Sequence, residues 1–100
     1  CLEFDDVSVD FKRFEVAKAG QAVKLSRKEF GVLQLLAARA GFVVTRNDLL
    51  DEVWGHESYP TTRTVDNHIA SLRAKLEEDS SKPRRLITVH GVGYKLVLDT

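Results

Sequence analysis

The first 25 residues alternate between apolar and polar positions with a period of two, which is typical of strands with one buried face. The apolar positions of this segment are Leu2, Phe4, Val7, Val9, Phe11, Phe14, Val16, Val23 and Leu25. Short breaks at Asp5-Asp6, Lys12-Arg13 and Ala19-Gly20 divide them at a spacing that suits hairpin turns. Residues 1–25 therefore predict an antiparallel meander of three or four strands.

At Ser26 the apolar period lengthens to that of a helix. Ser26 and Glu29 have the spacing of a capping box, in which each side chain satisfies a backbone N–H of the other residue. The residues that follow are apolar on most sides of a helix, and Gly41 supplies a left-handed stop. We expect a central core helix over residues 26–41.

A second helix is predicted over residues 45–55, after a short β segment at residues 42–44. Thr45 caps it, Asp48 lies favourably in its first turn, and Gly55 ends it. Its apolar stripe consists of Leu49, Leu50, Val53 and Trp54.

A third helix over residues 62–78 has two contrasting faces. Its apolar seam consists of Val65, Ile69, Leu72 and Leu76. The opposite face carries Arg63, Asn67, Ala70, Ser71 and Ala74, with Thr64 and His68 on one flank and Arg73 on the other. Solvated helix faces normally carry long charged side chains, whereas small side chains let a helix backbone approach another surface closely.

The last segment, residues 86–98, predicts two strands joined by His90-Gly91-Val92-Gly93. The two glycines permit the positive φ angles of a tight turn. The predicted order is thus a meander, three helices and a hairpin, which is an α+β winged helix-turn-helix in a single domain of residues 1–100.

Composition narrows the class of protein without identifying a partner. The formal net charge of the 100 residues is zero, but residues 61–100 hold seven bases against two acids once the cluster Glu77-Glu78-Asp79 is set aside. A local positive face is therefore compatible with nucleic acid binding. The single cysteine, Cys1, excludes an intramolecular disulfide, and no apolar stretch approaches the roughly 20 residues that cross a bilayer. We expect a cytoplasmic domain with no membrane partner.

No motif for catalysis or metal binding is evident in the sequence. His56, His68 and His90 have no carboxylate or cysteine at ligand spacing, and no glycine-rich phosphate loop precedes a helix. We expect a protein that is not an enzyme, with no catalytic residues, no metal and no cofactor.

Five runs in this order and spacing resemble the OmpR/PhoB-type winged-helix domain, the C-terminal effector domain of bacterial two-component response regulators. The resemblance covers essentially the whole chain. The runs are Leu25-Ser26-Arg27-Lys28-Glu29-Phe30, Val43-Val44-Thr45-Arg46 with Val53-Trp54-Gly55, Arg63-Thr64-Val65-Asp66-Asn67-His68-Ile69, Leu72-Arg73 with Lys75-Leu76, and Thr88-Val89-His90-Gly91-Val92-Gly93-Tyr94.

The resemblance implies sequence-specific binding of double-stranded DNA in transcription control, with the third helix in the major groove and the hairpin wing in the minor groove. It also implies an N-terminal receiver domain outside this fragment, whose phosphorylation promotes homodimers on direct-repeat half-sites. The isolated fragment is expected to be a monomer. RNA polymerase is expected to contact the loop His56, Glu57, Ser58 and Tyr59.

Matching positions of the family suggest which residues touch the DNA backbone. Those expected at phosphates and sugars are Arg46, Trp54, Arg63, Thr64, His68, Arg73, Thr88, Gly91 and Tyr94. For His68, Trp54 and Tyr94 the alternative is a purely structural role in the core, and for Arg63 and Arg73 it is a solvated arginine without a phosphate partner.

Asn67 and Ser71 are the candidates for reading base edges, because an asparagine can bond adenine bidentately and a serine can donate or accept. A solvent-facing role is the alternative for Asn67. Many relatives carry arginine or lysine near Ala70 and Ser71, and arginine at the wing position of His90. We therefore expect His90 to enter the minor groove with a weaker grip, and DNA shape to carry more of the specificity.

Two other functions remain open at this point. The face of the third helix and residues 55–62 could form a docking surface for a protein. Alternatively, the domain could bind DNA under a regulatory domain other than a receiver.

Overall fold

The computed structural model describes residues 2–55 and 61–98, and it begins with a four-stranded antiparallel sheet. The strands are β1 (Leu2–Phe4), β2 (Val7–Asp10), β3 (Glu15–Lys18) and β4 (Gln21–Val23), in the spatial order β1-β2-β3-β4. Val9 pairs with Leu2 on one side and with Val16 on the other, and all three side chains are buried. The predicted meander is confirmed, with four strands.

Phe14 departs from the predicted alternation. Its backbone has a φ of +55°, and the side chain is 64% exposed instead of facing the core. Phe14, with its left-handed backbone, lies in the turn just before β3. The alternation of buried and exposed side chains is therefore interrupted at this residue. The ring packs edge-on against Phe30, with the centroids 5.4 Å apart.

The first helix, α1 (Arg27–Ala38), begins with the predicted capping box. The N–H of Glu29 donates to Ser26 Oγ over 3.2 Å, and the N–H of Ser26 donates to Glu29 Oε1 over 2.8 Å. The helix ends at Ala38, three residues before the predicted end, and Gly41 with a φ of +86° belongs to the turn that follows. Its N–H donates to the Leu96 carbonyl, so the turn is fixed to the C-terminal strand.

The second helix is partly irregular. Strand β5 (Val44–Thr45) leads into α2 (Arg46–Leu49), which continues as a π-helical turn over Leu50–Trp54. Thr45 caps α2 by accepting the N–H of Asp48. The predicted β segment at residues 42–44 begins two residues later and ends one residue later, since Phe42 and Val43 are exposed and only Val44 reaches the core.

The third helix, α3 (Thr62–Leu76), packs its predicted seam into the core. Val65, Ile69, Leu72 and Leu76 are all buried. It ends two residues before the predicted boundary because Glu77 has an extended backbone. The Glu77 carboxylate turns back to accept N–H groups from Arg84, Arg85 and Leu86, which holds the connector to the next strand.

The chain closes with β6 (Leu86–Val89) and β7 (Gly93–Leu96), the hairpin called the wing from here on. Together with β5 they form a three-stranded antiparallel sheet of order β5-β7-β6. Gly91 has the predicted positive φ, +76°, whereas Gly93 does not. A Cβ at Gly93 would overlap the Val44 carbonyl oxygen, so this glycine is needed for the close approach of β7 to β5.

Arg85 joins the first hairpin to the residues that follow β7. Its buried guanidinium donates to both carboxylate oxygens of Asp5 and to the carbonyls of Val97 and Leu98. The core around it is assembled from both sheets and all three helices. Among residues 2–55 and 61–98, none of the helices combines the length and the apolar character that a bilayer crossing requires.

Candidate nucleic-acid interface

One strip of α3 is bare. Arg63, Asn67, Ala70 and Ala74 are all exposed, and their spacing of four, three and four residues puts them on one line along the helix. The line lies opposite the buried seam, as predicted for these four residues. We call it the α3 strip.

Ser71 does not belong to the α3 strip, and its predicted place there is wrong. It is half-buried, and its hydroxyl donates to Glu29 Oε2 over 2.6 Å. Ser71 lies about 70° around the helix from the middle of the strip, on the flank that packs against α1. A hydroxyl committed to a buried carboxylate is poorly placed to read a base, so Ser71 is not retained as a base-reading residue.

Glu29 is the centre of this flank, which we call the α1 flank. Its buried carboxylate also accepts from the Ser26 N–H and from Lys75 Nζ at 2.9 Å. Burial alone would raise the pKa of Glu29, but the hydrogen bonds from Ser71, Lys75 and Ser26 outweigh it and lower that pKa to about 2. Glu29 is therefore ionised at neutral pH and binds α3 to the start of α1.

His68 and Trp54 meet further along the same flank. Their rings are edge-to-face with centroids 4.9 Å apart, and both side chains are half-buried. His68 Nδ1 lies 2.8 Å from the Thr64 carbonyl oxygen, which favours the tautomer with the proton on Nδ1. Lys28 Nζ lies 5.7 Å from the Trp54 ring centroid and donates to the Val53 carbonyl. Because neither ring is fully buried, each residue can pack against the core and also contact the DNA backbone.

The opposite flank of α3 meets α2 and the wing, and we call it the wing flank. Asp66 accepts from Arg46 Nη1 over 3.0 Å and from the Tyr94 hydroxyl over 2.6 Å. Burial and the neighbouring Asp66 carboxylate raise the pKa of Tyr94 to about 12, so its phenol keeps its proton at neutral pH. Asp66 is a residue that periodicity does not identify, although an acid on a helix expected to meet a polyanion is a signal that it has a partner.

Arg73 holds the wing from the same side. Its Nε and Nη2 donate to the Leu86 carbonyl at 3.0 and 2.7 Å, and Nη2 also donates to Thr88 Oγ1 at 2.7 Å. The guanidinium carbon lies 5.7 Å from the Tyr94 ring centroid. Arg73 and Thr88, predicted separately as backbone contacts, are thus bonded to each other.

The wing tip is open. His90, Gly91 and Val92 are exposed in a four-residue turn closed by a hydrogen bond from the Val92 N–H to the Val89 carbonyl. A cleft of about 220 Å³ runs from this turn to Arg46. The predicted polymerase-contact residues His56, Glu57, Ser58 and Tyr59 lie outside the described residues.

The described residues of α3 and its two flanks form a binding surface. The α3 strip is bordered by Lys75 on the α1 flank and by Arg46 and Arg73 on the wing flank. Within residues 2–55 and 61–98, no three His, Cys, Asp or Glu side chains come together as metal ligands would. Such a surface can bind a polyanion through its cations and admit a groove edge along the bare strip.

Comparison with known proteins places this arrangement in a family. Residues 20–96 match the family model described as transcriptional regulatory protein, C terminal. The chain is 43% identical over 95 residues to the sensory transduction protein RegX3 of Mycolicibacterium smegmatis, covering 95% of this chain and 42% of that protein. It is 40% identical to the DNA-binding response regulator MtrA of the same organism, covering 94% of this chain and 41% of the relative.

Solved structures agree with the sequence relatives. Response regulator DrrB, a Thermotoga maritima OmpR/PhoB homolog, superposes with a TM-score of 0.88 at 38% identity over 96% of this chain and 43% of that one. The Klebsiella pneumoniae RstA DNA-binding domain, solved in complex with the RstA box, gives 0.84 at 32% identity over 98% and 97%. The chain spans about two fifths of the length of the full-length relatives. With this match and its winged helix-turn-helix fold, the chain belongs to the OmpR/PhoB-type family of C-terminal domains of transcriptional regulatory proteins.

Proposed function

We propose that this domain binds double-stranded DNA sequence-specifically, with α3 in the major groove and the wing at the adjacent minor groove. The observation that carries the proposal is the α3 strip, which is bare along its whole length and bordered by cations. The major groove is about 12 Å wide and admits a helix whose outward side chains are short.

Each residue of the strip suits a part in that complex. Ala70 and Ala74 keep the helix thin where it is deepest in the groove, and their methyl groups can contact thymine. Asn67 is exposed and has the amide that reads adenine. Arg63 stands at the start of α3, where a phosphate on the groove wall is within reach of a long side chain.

The remaining predicted contacts surround the strip and serve to position it. Trp54, Thr64 and His68 lie on one side, and the residues of the wing side are Arg46, Arg73, Thr88, His90, Gly91 and Tyr94. Because the Tyr94 proton is donated to Asp66, Tyr94 would contact the backbone through its ring edge or as a hydrogen-bond acceptor.

The relatives extend the proposal beyond the domain. One is named a DNA-binding response regulator, and one solved structure is a DNA-binding domain on its box. We infer that this chain is the effector part of a cytoplasmic response regulator, non-enzymatic in itself, which binds direct-repeat half-sites as a homodimer when an N-terminal receiver is phosphorylated. Residues 56–59 are the proposed contact for RNA polymerase.

The experiment is in vitro selection of duplexes followed by titration at several salt concentrations. If about five phosphates are neutralised, the logarithm of affinity falls against the logarithm of salt concentration with a slope near −4.5, roughly 500-fold between 50 and 200 mM. Ala70→Glu places a carboxylate in the strip and is expected to abolish binding.

Ala38→Glu is the matched control, because Ala38 is an exposed helical alanine on α1. It is expected to bind like the wild type. A salt slope near zero, or an Ala70→Glu variant that binds as the wild type does, would favour a protein-docking module instead.

A further inference from the structure

Asp66 is an acid placed among the cations proposed to contact DNA. Its two carboxylate oxygens are each used, one by Arg46 Nη1 and one by the Tyr94 hydroxyl. Both partners are proposed backbone contacts. A carboxylate at this place repels phosphate, so it calls for an explanation beyond the shape of the surface.

The bonds of Asp66 join three elements at one point. Arg46 is the first residue of α2, Asp66 is in α3, and Tyr94 is in β7. The Tyr94 ring in turn lies beside Arg73, which holds β6 through the Leu86 carbonyl and Thr88. The wing is therefore held to α3 at two points, at β6 directly by Arg73 and at β7 by the bond between Tyr94 and Asp66, and only the second point also includes α2.

Stability alone does not account for the Arg46–Asp66 pair. The two side chains are 42% and 37% exposed, and ion pairs with that much solvent contribute little to folding. Their effect on a polyanion is larger, because each uncompensated cation adds to sequence-independent attraction for phosphates. Asp66 compensates Arg46 while the protein is free.

Specificity depends on the difference between cognate and non-cognate affinity. A wing held at a fixed angle to α3 can meet the minor groove only when the bases under α3 are also in register. A loosely held wing beside an uncompensated arginine would raise the affinity for non-cognate duplexes. The same carboxylate thus opposes non-specific binding in two ways, by charge and by orientation.

We propose that Asp66 is a positioning residue that sets the DNA specificity of this domain, by fixing the wing against α3 and by withholding the charge of Arg46 from non-cognate DNA. This inference rests on the proposed function. Its effect is on the ratio of the two affinities, which a merely structural ion pair would leave unchanged.

The test compares Asp66→Asn with a charge-matched control. Asp6→Asn also removes one negative charge and one short ion pair, that with Lys18 at 2.8 Å, but it lies in the meander. A third variant, Tyr94→Phe, removes one bond to Asp66 and changes no charge. Dissociation constants are measured for the duplex selected by the wild type and for a scrambled duplex, between 50 and 200 mM salt.

For Asp66→Asn we expect the scrambled duplex to bind roughly three- to tenfold more tightly at the lowest salt, on the scale of one unit charge near a surface. The selected duplex gains nothing, because the loss of wing orientation offsets the added charge, so the ratio falls by the same three- to tenfold factor. The salt slope of the scrambled duplex steepens by about 0.9. Tyr94→Phe is expected to weaken binding to the selected duplex more than to the scrambled one, with an unchanged slope. Asp6→Asn stays within about twofold for both duplexes.

An unchanged ratio in Asp66→Asn, or equal shifts in Asp66→Asn and Asp6→Asn, overturns the proposal. If Asp66→Asn does not fold, as judged by circular dichroism, Tyr94→Phe decides: equal losses for both duplexes overturn the proposal. Failure of the wild type to bind any duplex would instead refute the proposed DNA-binding function.

Discussion

Each flank of α3 meets one carboxylate that accepts from a single cation and from neutral donors, yet the two sites differ in nearly every other respect. Glu29 on the α1 flank has 5% of its side chain exposed and accepts from a backbone N–H, a hydroxyl and an ammonium group. Asp66 on the wing flank has 37% exposed and joins groups that are proposed to touch DNA. Glu29 is buried, whereas Asp66 faces solvent.

The difference shows how one helix serves the core and the surface together. Removal of a buried carboxylate that accepts several hydrogen bonds is costly, because its donors are left without an acceptor in the protein interior. An exposed pair costs little to remove, because water replaces each partner. We therefore assign the α1 flank to holding α3 in place and the wing flank to ordering the binding surface.

The largest expected effect is on folding, from Glu29→Ala. Loss of this carboxylate leaves Lys75, Ser71 and the Ser26 N–H without their acceptor. The free energy of unfolding in urea at pH 7 should fall by about 3 to 4 kcal/mol. Glu78→Ala, at an exposed position just beyond α3, is the control and should change it by less than about 0.5 kcal/mol. Similar losses in the two variants would refute the distinction between the flanks.

The decrease of the unfolding free energy at acid pH should depend on the titration of Glu29. Its pKa is lowered from 4.5 to about 2 in the folded state, so its stabilising contribution is complete above pH 4.5 and is lost as the pH falls toward 2. A shift of this size corresponds to at most about 3 kcal/mol. Unfolding free energies measured from pH 2 to 6 should fall less steeply in Glu29→Gln, which cannot titrate there. Parallel curves for the wild type and the variant would contradict this reading.

A smaller effect separates Asn67 from Ser71, which are neighbours on the helix but differ in surroundings. Ser71→Ala should lower the free energy of unfolding by about 1 kcal/mol, through its bond to Glu29, and leave DNA affinity within about twofold. Asn67→Ala should leave stability unchanged and weaken the selected duplex by about 1 to 2 kcal/mol. The reverse outcome, with Ser71→Ala losing affinity and Asn67→Ala losing stability, would show that the strip is wrongly drawn.

Local patterns were sufficient for most of the architecture. The capping box of Ser26 and Glu29, the buried seam of α3 and the alternation of β1, β2 and β3 all occur as the sequence indicates. Each depends on residues within a turn or a strand of one another, so helical or strand periodicity is enough to find it. The family resemblance then fixed how these elements are arranged.

The predictions that differ from the structure concern residues whose environment is set by partners distant in the sequence. The helical period alone predicts Ser71 on the polar face of α3, whereas the partner that draws it away, Glu29, is 42 residues distant in the sequence. Gly93 was assigned a turn conformation, whereas it serves the approach of β7 to β5. Asp66 was overlooked because its partners lie in two other elements. Helical or strand periodicity carries no information about contacts between residues that are distant in the sequence.

The guanidinium of Arg85 gives the domain a mechanical property. It bonds the turn between β1 and β2 through Asp5 and the residues just after β7 through the carbonyls of Val97 and Leu98, so the first hairpin and the wing share one anchor. Force applied to the first hairpin would be transmitted through these bonds to β7, a strand of the wing. A single side chain thus couples the position of the first sheet to that of the wing.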